Sequence, residues 1–398
     1  MKVFYVLCIS VLVLIACSGG EDTSIVEQGF TRAEQQLSNQ LKAVPEATEY
    51  PRTIGKDGKL KVTRKNDWTE GFYPGCLWYV YEYTNKEDWK KAAIKWTESL
   101  EPLKKMTNHH DIGFLMYCSF GNAYRLTGNE AYKDVLVESA RSLCTRFNEK
   151  TGCIKSWNYR KSWNGKDEWF YPVIIDNMMN LELLYFATKV TGDSVYAKVA
   201  NRHAETTAKN QFREDYSNYH VVNYDAETGE VLNQATCQGF SDNSAWARGQ
   251  AWAIYGYTVV YRETLDPRYL DFVQKVADVY LERLPEDYIP YWDFDDPSIP
   301  NAPRDASAAS VTASALLELS TYLPDKKGDE YKNAAIRMLT SLSSDKYQCG
   351  KSKPAFLLHS TGHLPNNSEI DAAIIYADYY YIEALIRLKN LIEDKAVI

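Results

Sequence analysis

The strongest constraint on this chain is a connector that recurs five times: Thr84-Asn-Lys-Glu-Asp-Trp89, Thr127-Gly-Asn-Glu-Ala-Tyr132, Thr191-Gly-Asp-Ser-Val-Tyr196, Thr264-Leu-Asp-Pro-Arg-Tyr269 and Lys327-Gly-Asp-Glu-Tyr331. Each copy ends a helix with turn residues, opens the next with an acidic first turn, and sets an aromatic ring one turn in. Upstream of the copies, residues 71–83, 111–126, 176–190, 248–262 and 307–323 are apolar nearly all round, and a sixth such stretch, 369–388, closes the chain. Downstream segments such as 89–100, 131–147, 195–210 and 269–284 are apolar on one face only. A helix that is apolar all round has to be buried, and a half-polar helix can cover it. Stacked helical hairpins of this kind predict an all-α fold, an (α/α)6 barrel; an open superhelix of the same hairpins is the alternative.

The amino end stands outside that pattern. Met1-Lys2, the apolar run 3–16 and then Cys17 read as an export signal too short to span a membrane stably. Leu14-Ile15-Ala16-Cys17 resembles a bacterial lipoprotein signal, with Cys17 as the lipidated first residue of the mature chain. The expected organisation is therefore a signal over 1–17, a flexible tether over 18–30, and one catalytic barrel domain over 31–398. The expected location is the cell envelope, on a periplasmic or outer-membrane face, with membrane contact only through the lipid. With 45 Lys+Arg against 53 Asp+Glu the net charge is −8, which argues against nucleic acid as a partner. No obligate protein partner is evident, and an anionic ligand has to be met by a local pocket.

Beyond Cys8 and Cys17, the cysteines at 76, 118, 144, 153, 237 and 349 show no C-x-x-C spacing, so buried thiols are the default reading, with a Cys144–Cys153 bridge as the variant. The histidines form no H-E-x-x-H, and neither a metal nor another cofactor is expected. Attention falls instead on two carboxylates. Asp176 stands where the apolar run 176–190 begins, and Asp111 stands at the matching place before 111–126. A buried aspartate is costly unless it is paired, neutralised or used. A barrel gathers the starts of its inner helices at one end, which turns Trp68, Asp111, Asp176, Arg248 and Asp305 into one candidate cleft. Two carboxylates there can shift each other's pKa upward, with Asp176, on the more apolar helix, favoured as the acid. Trp246, Arg248 and Trp252 bracket a helix start and offer aromatic walls and a two-pronged guanidinium. His220 lies in a strand-like hairpin just before them.

Taken together, Asp67-Trp-Thr-Glu-Gly-Phe-Tyr-Pro-Gly, His109-His-Asp-Ile-Gly-Phe, Ile174-Ile-Asp-Asn-Met-Met-Asn-Leu, Tyr219-His, Gln238-Gly, Trp246-Ala-Arg-Gly-Gln-Ala-Trp, Tyr291-Trp-Asp-Phe, Arg304-Asp-Ala-Ser-Ala and Tyr376-Ala-Asp-Tyr resemble the unsaturated glucuronyl hydrolases, glycoside hydrolase family 88. The likeness runs from about residue 67 to 388. It implies removal of a 4,5-unsaturated uronic acid from the non-reducing end of lyase-generated oligosaccharides, glycosaminoglycan-type fragments first among them. By the same likeness Asp176 protonates the vinyl ether and Asp111 holds ring hydroxyls and tunes it. His220, Gln238 and Arg248 contact the uronate, while Trp68, Trp157, Trp246 and Trp252 wall the subsite. The resemblance breaks where Cys237 stands in place of a histidine often found before the Gln-Gly pair, so no role is carried to it. The loop 350–368, with Lys351, Lys353, His359 and His363, is expected to reach the next sugar. Two other functions compete: an unsaturated rhamnogalacturonyl hydrolase acting on pectin fragments, and a non-catalytic sugar-binding lipoprotein.

Overall fold

The computed structural model describes residues 4–397 except 56, 65, 163, 164 and 352, with only the backbone described for 4–19 and 21. Among the described residues, the buried inner helices follow in order as α2 (Phe72–Thr84), the pair α4 (Ile112–Met116) and α5 (Asn122–Thr127), α7 (Leu181–Thr191), α9 (Ala247–Thr264), α11 (Ala306–Ser320) and α13 (Ile375–Ile392). The outer helices are α1 (Phe4–Ala43), α3 (Glu87–Ser99), α6 (Glu130–Cys144), α8 (Val195–Asn210), α10 (Pro267–Glu282) and α12 (Lys326–Ser343). Every residue of α11 from Ala306 to Leu319 is buried, as is every residue of α13 from Ile375 to Leu388. The half-polar α10 and α12 bury one stripe each. The ring closes, since α13 packs against α2, α11 and α1. The barrel, and not the open superhelix, is the architecture.

The connectors explain themselves atom by atom. Thr84, Thr127, Thr191 and Thr264 each turn the hydroxyl back onto the carbonyl four residues earlier, at 2.7, 2.6, 2.7 and 2.7 Å. The same hydroxyls accept the N–H groups of Lys86, Asn129, Asp193 and Asp266. The residue after each threonine is left-handed: Asn85, Gly128, Gly192 and Leu265 have φ of 54°, 65°, 73° and 54°. Asn and Gly reach that region easily, whereas Leu265 does so against its Cβ. Asn129 and Asp266 then cap the next helix.

The amino end departs from expectation. Residues 18–30 were expected to be a tether, yet they continue α1, and Ile25, Val26 and Phe30 are buried. Phe30 stacks on Tyr83 at 3.9 Å. Gln36 and Gln40 donate to carbonyls of Gly350 and Pro354. This segment therefore supplies the outer helix paired with α13, and the packed region begins near Ile25 rather than Thr31. Cys17, the expected lipidation site, and the signal 1–17 lie outside the residues whose side chains are described. Among the described residues no helix is long and apolar enough to cross a membrane. The six cysteines at 76, 118, 144, 153, 237 and 349 are free thiols, so Cys144 and Cys153 are not bridged.

Among the described residues, the short strands all fall in connections that lead from an outer helix into an inner one. They are β1 (Tyr50–Ile54), β2 (Leu60–Thr63), β3 (Phe147–Asn148), β4 (Cys153–Ile154), β5 (Arg160–Lys161), β6 (Glu168–Trp169), β7 (Pro172–Ile174), β8 (Val221–Tyr224) and β9 (Val231–Ala235). All pairings are antiparallel, and β7-β8-β9 form a three-stranded sheet. That sheet delivers the chain into a 3-10 turn, Ile175–Asn180, ahead of α7. Two glycines let neighbouring inner helices approach this turn. A Cβ on Gly113 would stand 2.6 Å from Asn180 Cα, and one on Gly256 would stand 2.4 Å from Met178 Cβ. Gly113→Ala should therefore cost about 1–3 kcal/mol by overpacking. A lowered urea midpoint with an unchanged slope would show it, and wild-type stability would refute the close approach.

Candidate active site

The two aspartates stand at the starts of neighbouring inner segments, and each is served by histidine. Asp176, 8 % exposed, has its Oδ2 3.6 Å from His220 Nε2. His220 Nδ1 accepts the N–H groups of Cys237 and Gln238 at 3.0 and 3.1 Å, so the ring proton sits on Nε2 and faces Asp176. At 3.6 Å this is not a formed hydrogen bond, and both atoms remain without a protein partner. Burial lowers the pKa of His220, opposed by Asp176 and reinforced by Arg248 and Arg160.

Asp111 is more tightly held. His109 Nδ1 lies 2.9 Å from its Oδ2, and His110 Nε2 lies 3.4 Å from its Oδ1. Burial pushes the Asp111 carboxyl up, but His110 and then His109 outweigh it and hold the group below the usual range. The expected upward push from a second carboxylate is thus not what governs Asp111. His110, fully buried, receives Asn180 Nδ2 on its Nδ1 at 3.4 Å, while Asn180 Oδ1 accepts the Phe114 N–H at 3.0 Å. Burial lowers the His110 pKa, and both Asp111 and Asp176 oppose that. One imidazole therefore feels both carboxylates, which share one region of the molecule. Neither His109 nor His110 is among the expected site residues; their place directly before Asp111 is the signal the sequence offers.

The remaining expected residues divide. Trp157 pairs with His109 through a backbone bridge and sits edge-on to His220 at 6.4 Å. Trp246 lies against His220 at 4.6 Å, and Trp68 packs on Tyr376 at 5.1 Å. Gln238 turns its amide to the Gly362 carbonyl at 3.1 Å. Arg248 is not an open clamp. Only 1 % exposed, it gives Nη1 to Asp305 at 2.5 Å and to the Thr361 carbonyl at 2.6 Å, and Nη2 to the Gly362 carbonyl at 2.5 Å. Trp252 is no wall either: it is fully buried between Phe114 and Tyr380, with its indole N–H unpartnered. In the loop 350–368, His363 donates from Nε2 to the Cys237 carbonyl at 2.9 Å, and His359 is paired with Asp371. Among the described residues no group of His, Cys, Asp and Glu could hold a metal ion.

With this geometry in view, residues 44–346 match the family model described as Glycosyl Hydrolase Family 88. An unsaturated glucuronyl hydrolase of Formosa agariphila is 46% identical over 377 residues, 92% of each chain. An unsaturated chondroitin disaccharide hydrolase of Streptococcus agalactiae is 37% identical over 91% of each. The crystal structure of an unsaturated glucuronyl hydrolase specific for heparin superposes with a TM-score of 0.88 at 41% identity, covering 94% of this chain and 99% of that one. The chain belongs to glycoside hydrolase family 88. It is a glycosidase of the unsaturated glucuronyl hydrolase type.

Acid should work against this arrangement. His203, which accepts the Ile154 N–H on Nδ1 at 3.1 Å, has its pKa lowered by burial to about 3; His363 is lowered, again chiefly by burial, to about 4. Below pH 6.5 the unfolded chain takes up a proton that folded His203 refuses, so its stability contribution is present above that pH and lost toward pH 3. The loss is about 1.4 kcal/mol per pH unit for one such group. Urea unfolding from pH 7 to 5 should show the decline, and His203→Gln should flatten it; an identical slope would contradict this account.

Proposed function

We propose that Asp176 is the proton donor for hydration of the vinyl ether in a 4,5-unsaturated uronic acid at the non-reducing end of a glycosaminoglycan-derived fragment. The observation that carries this reading is the buried Asp176 Oδ2, unpartnered and facing the Nε2–H of His220 at the aromatic-lined cleft. In the reaction the Asp176 proton goes to C4, positive charge develops at C5, and water adds there while returning a proton to the same carboxylate. The C5 hemiketal then opens to a ketone, and the hemiacetal left at C1 releases the next sugar. Asp111, held ionised by His109 and His110, serves as a hydroxyl acceptor and a fixed negative charge rather than as a second acid. His220 stabilises the Asp176 carboxylate after the proton has left. Arg248 is a positioning residue that fixes the floor of the site. The relatives named as chondroitin disaccharide hydrolases and the heparin-specific neighbour support glycosaminoglycan fragments over pectin fragments and over an inert binder.

Asp176→Asn should lower kcat by about 10²–10⁴-fold while leaving disaccharide binding near wild type. Loss of the ultraviolet absorbance of the conjugated alkene reports turnover, and calorimetry reports binding. Activity within tenfold of wild type would remove Asp176 from the donor role.

We infer further that the mature chain begins at a lipidated Cys17 and works in the cell envelope, anchored by lipid alone. The support is the run Leu14-Ile15-Ala16-Cys17 after an apolar stretch. In cells, Cys17→Ser should move the protein from the detergent-extracted membrane fraction to the soluble one. A wild-type protein already soluble and free of lipid by mass spectrometry would exclude the anchor.

A further inference from the structure

The cations at the cleft end are nearly all answered by protein oxygens. Arg52 meets Asp67 and Glu369, Arg248 meets Asp305, and Arg304 meets Asp287. Arg146 is bound to the carbonyls of Thr107 and Lys155. Arg160 differs. Among the described residues no carboxylate lies within ion-pair reach of its guanidinium, which rests over the Trp157 ring at 4.9 Å.

The sequence of β5 and β6 puts it there. Arg160 pairs with Trp169 across the strands, and Lys161 pairs with Glu168. Directly opposed residues share a face, and Trp169 faces inward, fully buried with Ile174, Val221, Ala235 and Cys237 and with Trp157 packed against them. Arg160 therefore shares the face of Trp169 and lies over Trp157, whose ring is edge-on to His220 at 6.4 Å, while the neighbouring Tyr159 and Phe170 are exposed with ring centroids 5.3 Å apart. The Arg160 guanidinium stands near the Cys237 thiol, and its positive charge lowers the pKa of Cys237, His220 and His363. A half-buried, planar, unpaired cation thus stands beside the histidine that faces Asp176.

We propose that Arg160 is a specificity-determining residue that binds an oxyanion of the substrate, either the uronate carboxylate or a sulfate ester close to it. The inference rests on the unsaturated-uronate reading above and adds to it the residue that meets the negative charge. A guanidinium offers paired N–H donors that match either oxyanion in two-pronged fashion. Trp157 holds the fork in place beforehand by contact with its face, so little ordering is needed on binding.

The test is steady-state kinetics of the full-length wild type, Arg160→Ala, Arg160→Gln and Arg160→Lys on unsulfated and sulfated unsaturated disaccharides. KM should rise at least about tenfold in the Ala and Gln variants, with kcat changed by less than about threefold. Lys should recover part of the loss. A rise on every disaccharide identifies the carboxylate as the bound group, and a rise on sulfated ones alone identifies the sulfate. The acid limb of kcat/KM should also move to higher pH in the Ala and Gln variants but not in Lys, because His220 then loses a neighbouring positive charge. The Gln variant keeps a stem over Trp157 and guards against misfolding in the Ala variant. Unchanged KM on all disaccharides overturns the proposal even though wild-type turnover stands. Absence of wild-type turnover on any unsaturated uronate would instead overturn the function it rests on.

Discussion

A guanidinium with no access to solvent has to be answered oxygen by oxygen, and Arg248 meets that demand in a way that ties the cleft together. It begins α9, its carboxylate partner Asp305 begins α11, and its two carbonyl partners belong to the loop at Thr361 and Gly362. Asp305 in turn caps α11 through the Ser307 N–H and receives the Thr361 N–H. Removing either charge would leave the other buried and alone, at a cost of about 3–5 kcal/mol. The pair therefore does more than stabilise. It fixes two inner helices and a loop to one another at the depth where Trp246 and His220 meet.

The histidines give the two aspartates different lives. Asp111 is gripped from two sides and kept as an anion, whereas Asp176 faces a single N–H across a gap slightly too long for a hydrogen bond. The asymmetry comes from the backbone. At Asp176 the chain arrives from a sheet, and the partner imidazole is pinned by two N–H groups of the segment after β9. At Asp111 the partners are the two residues just before it in the chain. A carboxylate held between two imidazoles and one with an unpartnered oxygen thus coexist at one mouth.

The barrel was legible because its signals are local. A threonine, a left-handed residue and an acidic helix start fall within a few positions, and an all-round apolar helix needs no partner to be recognised. The amino-terminal helix was missed for the opposite reason: Ile25, Val26 and Phe30 sit among polar residues just after a signal-like run, and only contact with Tyr83 and α13 shows their burial. The two apolar stretches that carry the aspartates are each broken, one by the π turn Tyr117–Gly121 and the other by the 3-10 turn Ile175–Asn180. Composition does not foretell such breaks. Nor can sequence say whether an arginine or tryptophan faces a cavity or the packed interior, which is why Arg248 and Trp252 were expected at the surface of the cleft.

The direction of α1 has a practical meaning. Its later residues lie by Pro354, near the opening, while Gly29 and Phe30 lie by Leu385 and Tyr83, toward the ends of α13 and α2 remote from it. Whatever is joined ahead of Ile25, a lipid, a bead or a fused domain, leaves from the end of the ring opposite the two aspartates. Immobilising the molecule by that terminus would hold its entrance outward, toward arriving oligosaccharides.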